Sequence, residues 1–149
     1  MKVGEREREY VVAEALALAE VVPDGDARAA YQEIAWAADQ GEVPEDLTTR
    51  VGELVSLAVE TGRARSVHGA AGVRALISVW KDTPQGREVA GRTDDLNEAL
   101  TTLGGRTIDR VRVLPTAPGA YALTIAAGDV EIRLTFDRSE ATLRSVNVG

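Results

Sequence analysis

The stretch Leu100-Thr101-Thr102-Leu103-Gly104-Gly105-Arg106-Thr107-Ile108-Asp109-Arg110-Val111-Arg112-Val113-Leu114 changes its hydrophobic period at the two glycines. Upstream, apolar residues recur every three or four positions, and Leu96, Ala99, Leu100 and Leu103 share one helical face. Downstream they recur every second position: Val111 and Val113, then Tyr121, Leu123 and Ile125, then Ile132, Leu134 and Phe136. A helical period followed by a two-residue period predicts helices followed by a sheet. The expected fold class is α+β, with an N-terminal bundle of about five helices in residues 1–105 and a four-stranded antiparallel β-meander in 106–149 packed on them. The length is ordinary for one domain, so 1–149 is expected to form a single one. Strands do not alternate with helices, which excludes a doubly wound parallel sheet.

The meander can be read in register. Gly128-Asp129 suits a two-residue hairpin. With those two residues as the loop, Ile125 faces Ile132, Leu123 faces Leu134 and Tyr121 faces Phe136, all on one sheet face. Val111 and Val113 are expected to join them and the face to pack on helices. Strands are expected at 107–114, 120–127, 130–136 and 141–148, with Pro118-Gly119 and residues 137–140 as turns. In the last strand Leu143 and Val146 have opposite parity. Either a bulge lies between them, or Val146 and Val148 face outward as a patch that a subunit contact would cover. The opposite face would carry Arg110, Arg112, Glu131 and Arg133, and cross-strand ion pairing at a solvated face is expected there.

Outward from that joint, helices are expected at 5–22 and 27–40, the second capped by Asp26. A third begins with Pro44-Glu45-Asp46 in its first turn, and a fourth is capped by Ser66. Thr83-Pro84-Gln85-Gly86 reads as an interruption followed by a short turn at 87–90. The fifth helix is expected to start at Asp94 or Asp95, with Asp95 and Glu98 spaced as a capping box.

Composition bounds the chemistry. The chain has 149 residues, a formal net charge of −7, one histidine and no cysteine. Thiolate catalysis, disulfides and cysteine- or multi-histidine metal centres are excluded, and no cofactor or metal is expected. The acidic balance disfavours broad nucleic-acid or anionic-lipid binding. Residues 106–149 nevertheless hold six basic and five acidic side chains. The longest apolar run, residues 10–22, is broken by Glu14 and Glu20 and is too short to span a bilayer, and a cytoplasmic setting is expected.

One segment combines features of an anion site: Thr61-Gly62-Arg63-Ala64-Arg65-Ser66-Val67-His68-Gly69-Ala70-Ala71-Gly72-Val73-Arg74. Helix-start backbone donors beside guanidinium groups suit an anion, and glycines allow close approach. Arg63, Arg65, Ser66, His68, Gly69 and Arg74 are its candidate residues. The spacing is neither a P-loop nor a dinucleotide fingerprint, and a packing loop is the competing account. His68 lacks a partner legible in the sequence, and Ser66, two residues away, is poorly placed for one. Glu14, Glu20 and Glu33 are expected to be exposed or salt-bridged, and Trp36 and Trp80 to pack in a core or interface.

No catalytic signature is present, and the expected function is that of a non-enzymatic binding or interaction module that self-associates, as a dimer through the sheet. Two alternatives are carried. One is a DNA-binding regulator using a helix-turn-helix-like segment around 47–81. The other is a small anionic-ligand-binding protein or enzyme with a site near 63–74.

Overall fold

The computed structural model describes residues 1–23, 25–137 and 141–149. Five α-helices precede four strands: α1 (Glu5–Val21), α2 (Gly25–Gln40), α3 (Thr48–Glu60), α4 (Arg63–Lys81), α5 (Pro84–Thr101), β1 (Arg110–Ala117), β2 (Ala120–Ala127), β3 (Val130–Phe136) and β4 (Ala141–Val148). The strands form one antiparallel sheet in the order β1-β2-β3-β4, so the α+β meander is as read from the sequence. No described helix is long and apolar enough to cross a membrane. The chain divides into two compact units, Met1–Glu88 and Val89–Gly149.

The first unit is a helical bundle. Val11 and Ala15 of α1, Ile34 and Ala38 of α2, Val51, Leu54 and Val55 of α3, and Leu76 and Val79 of α4 form its core. Each large side chain buried there contributes roughly 1.5–3 kcal/mol before entropy is subtracted. Several helix starts differ from the sequence reading. Asp26 lies inside the first turn of α2. Glu45–Leu47 form a separate 3-10 turn ahead of α3. Helix α4 starts at Arg63, so Ser66 is no cap: its amide donates to the carbonyl of Gly62, which takes the left-handed φ of 75°.

The start of α5 is the largest correction. It begins at Pro84 and runs unbroken past Asp94, Asp95 and Glu98, which are interior rather than capping. Thr83 is the reason. Its buried hydroxyl donates to the carbonyl of Trp80 at 2.6 Å and accepts the amide of Gly86 at 3.2 Å, capping α5 while closing α4. Pro84 then occupies the first helical position, where no donor is needed. The presumed interruption is a corner.

The second unit sets the end of α5 on the sheet. Leu96, with Leu100 and Leu103, covers Val130, Ile132, Leu134, Leu123, Leu143 and Val146. The hairpin register is the expected one, with Tyr121↔Phe136, Leu123↔Leu134 and Ile125↔Ile132. Gly128 takes φ 63° while Asp129 does not leave negative φ, the pattern of a type II′ turn. Between Arg133↔Ser145 and Leu134↔Leu143 the register shifts by Arg144, a bulge and the first of the two alternatives that parity left open. It turns both Leu143 and Val146 inward, and Val148, opposite Val130, shares their face although it is 65% exposed, so Val146 and Val148 form no patch on the outer face. The turn expected at 137–140 lies mostly outside the described residues. The first strand begins three residues later than expected, at Arg110.

Helix cover is narrower than the apolar face. Val111 and Val113 share that face by register with Ile125 and Leu123, yet are 57% and 59% exposed, and Tyr121 is 49% exposed. One helix, about 10 Å wide, covers about two strands spaced about 4.8 Å apart.

The hairpin end carries an ionic latch. Arg106 Nη1 donates to Asp129 Oδ1, and Asp109 Oδ2 accepts the Gly128 amide at 2.6 Å. The hydrogen bond from Arg106 holds the Asp129 carboxyl below its ordinary value. A carboxylate favoured by the folded state adds stability above its unfolded value, about 3.9, and loses it as pH falls below that through the depressed folded value. The difference in thermal midpoint between the wild type and Asp129→Asn, followed by circular dichroism, should therefore be constant near neutrality and shrink as the pH drops below about 4. A difference that stays constant into acid would mean the latch contributes nothing.

Candidate functional site

Helix α1 carries Tyr10, Val11, Glu14, Ala15 and Leu18 on the face turned to the bundle, and Glu14 is the one acid among them. Its side chain is 2% exposed. A buried carboxylate is costly unless its charge and lone pairs are met. Both oxygens are met from α4. Arg63 Nε donates to Oε2 at 2.8 Å, and His68 Nε2 lies 2.7 Å from Oε1. Because the carboxylate only accepts, the proton lies on Nε2, and a neutral ring presents its lone pair at Nδ1. The His68 ring also meets Tyr10 edge-on, with centroids 5.3 Å apart.

Glycines make this geometry possible. Gly69, directly after His68, has φ 66° and ψ −165°, a conformation open almost only to glycine, and it kinks α4. A Cβ added at Gly72 would overlap His68 Cβ and come within 3.1 Å of Tyr10 Cδ1, so only glycine leaves room here. Two short helical segments thus approach α1 from one strand of chain.

The predicted segment is thereby divided. Arg63 and His68 converge, but on an internal anion, the Glu14 carboxylate. Arg65 and Ser66 are exposed, as is Gly69. Arg74 lines a separate open groove of about 500 Å³ with Arg6, Glu7, Glu9, Tyr10 and Ser78. Glu14 is the residue that sequence reasoning did not join to His68. The signal was its spacing of three from Val11 and four from Leu18, which places it on the buried stripe and calls for a cation. Glu20 and Glu33 are exposed.

A buried carboxylate holding one nitrogen of an imidazole is the orienting half of a general-base pair. The cluster ties α1 to α4 through two charged hydrogen bonds. No three His, Asp or Glu side chains among the described residues come together to hold a metal ion. Comparison of the chain with protein-family models, curated proteins and solved structures gave no match.

Of the remaining candidates, Trp36 is 68% exposed on α2, while Trp80 packs on the core and lines a small apolar groove between α3 and α4 with Val55, Val59 and Ile77. On the meander, every position of β1 is exposed. That strand ends the sheet, and among the described residues one row of its backbone donors and acceptors faces no neighbouring strand.

Proposed function

We propose that the protein is a non-enzymatic interaction module that self-associates through β1. The observation that carries this reading is the exposure of Val111 and Val113 on an edge strand, on the same sheet face on which Ile132 and Leu134 of β3 are buried. An edge strand offers unpaired backbone groups to another strand, and exposed apolar side chains add area to that pairing. The other edge, β4, is disrupted by its Arg144 bulge. In β1 the register shift and Pro115 fall near the C-terminal end, which leaves Arg110 to Leu114 regular.

A second copy is the partner that fits. Antiparallel β1 strands meeting across a two-fold axis at Val113 set Val113 beside Val113, and Arg112 opposite Leu114 rather than opposite another arginine. The two meanders then continue as one sheet. The DNA-binding alternative is less well supported: Arg63 is turned onto Glu14, and the helix that would read the groove is kinked at Gly69.

Sedimentation over a concentration series should give a dimer, and the Val111→Lys/Val113→Lys variant a monomer with an unchanged circular dichroism spectrum. Val21→Lys, at an exposed position on α1, serves as the control that still dimerises. A wild type that remains monomeric at the highest concentration refutes the proposal.

A further inference from the structure

The outer face of the meander holds a second, separate feature. The register sets Arg112 of β1, Thr124 of β2 and Arg133 of β3 in one row. Alternation places the row on the face opposite Val111, Leu123 and Leu134. The expected cross-strand pairing accounts for only part of that face. Arg110 Nη2 reaches Glu131 Oε2 at 3.3 Å, and Arg144 Nε donates to Thr135 Oγ1 at 3.1 Å. Neither Arg112 nor Arg133 has an ion pair or hydrogen bond among the described residues, and both are exposed. Glu131, the acid that could have neutralised them, is engaged by Arg110. The floor around them is small: Ala122, Thr124, Ala126 and Ser145.

We infer that Arg112, Arg133 and the Thr124 hydroxyl bind an oxyanion of the phosphate type. The two arginines start from strands on either side of Thr124, about 10 Å apart across two strand spacings. Their long side chains can converge over the threonine. Guanidinium forks pair with oxyanions through parallel hydrogen bonds, and a hydroxyl supplies a third donor group. Three donor groups match a tetrahedral anion with three or more free oxygens better than a carboxylate with two. Nucleobase recognition is not implied, because Tyr121 and Phe136 lie in register on the opposite face and the outer face offers no ring to stack on. The anion is free phosphate or a phosphoryl group on a larger molecule. The inference concerns the outer face and stands whether or not β1 pairs with a second copy.

Titrations of inorganic phosphate, O-phosphoserine and succinate into the full chain, at ionic strength matched with sodium chloride, test this. The readout is the NMR shifts of the arginine Nε–Hε groups. Phosphate or phosphoserine should saturate with a Kd on the order of 1 mM or tighter, moving the Arg112 and Arg133 signals together. The tighter of the two names the source of the phosphoryl group. Arg112→Gln and Arg133→Gln should each weaken binding about tenfold, and Thr124→Val about threefold. Arg65→Gln, on the helical unit, should not change it. These are surface substitutions that leave the fold intact, as amide spectra will show. The inference is overturned by a titration that does not saturate, by succinate binding as well as phosphate, or by unchanged affinity in the Arg112→Gln/Arg133→Gln variant.

Discussion

Replacing Arg63 with alanine should destabilise the helical unit by about 3 kcal/mol. The substitution strands the Glu14 carboxylate, 2% exposed, with only His68 to hold it. Breaking a buried pair by removing one partner is costly because the other charge keeps its desolvation penalty and loses its compensation. Arg63 is itself 46% exposed, so water can follow the deletion, which keeps the cost at the lower end of the roughly 3–5 kcal/mol of a broken buried pair. Both tryptophans, Trp36 and Trp80, lie in the helical unit, so their fluorescence in a urea titration reports on it alone. The double variant Glu14→Gln/Arg63→Ala should recover about half of the loss, since no charge is left buried. Arg63→Ala lying within about 0.5 kcal/mol of wild type would show that the cluster is solvated and pins nothing.

Gly72→Ala should cost about as much, by a different route. A Cβ at this position overlaps His68 Cβ and presses on Tyr10 Cδ1. The obstructing atom is the root of a side chain, which cannot swing away as a flexible tip would. Relief requires the parts of α4 on either side of the Gly69 kink to move apart, and moving His68 takes its ring off the Glu14 carboxylate. Overpacking of this kind costs typically 1–3 kcal/mol, and the lost hydrogen bond to a charged group adds to it. The same substitution at Gly25, the first residue of α2, where an added Cβ meets nothing within 4 Å, should be neutral or mildly stabilising because alanine favours helix. A Gly72→Ala variant as stable as Gly25→Ala in the same fluorescence titration would mean that α4 adjusts freely around the kink.

The elements differ in how openly the chain displayed them. Tight turns made the meander legible: with Gly128 and Asp129 as the loop, the two-residue period left one register that buries Ile132 and Leu134 together. Parity alone required a bulge or an outer patch in β4, and packing against Leu96, Leu100 and Leu103 selected the bulge. Helix starts were less legible. Thr83-Pro84 signals a break and a beginning equally well, and only the hydrogen bonds of Thr83 show it to be a corner.

Local order in the sequence, from the helix-to-sheet switch at Gly104–Gly105 to the hairpin register, follows from spacing along the chain, because period and turn chemistry act between near neighbours. Partnership between distant residues does not. His68 and Glu14 are 54 positions apart, and no spacing rule joins them. Tertiary packing of α1 on α4 made them a pair, and the cost of burying a carboxylate alone made Arg63 part of it. In the same way the sequence supplied the outer-face arginines, but only the assembled sheet decided that Arg110 takes Glu131 and leaves Arg112 and Arg133 facing one another across Thr124. Cross-strand neighbours are set by register in three dimensions, where one acid can neutralise only the arginine it reaches.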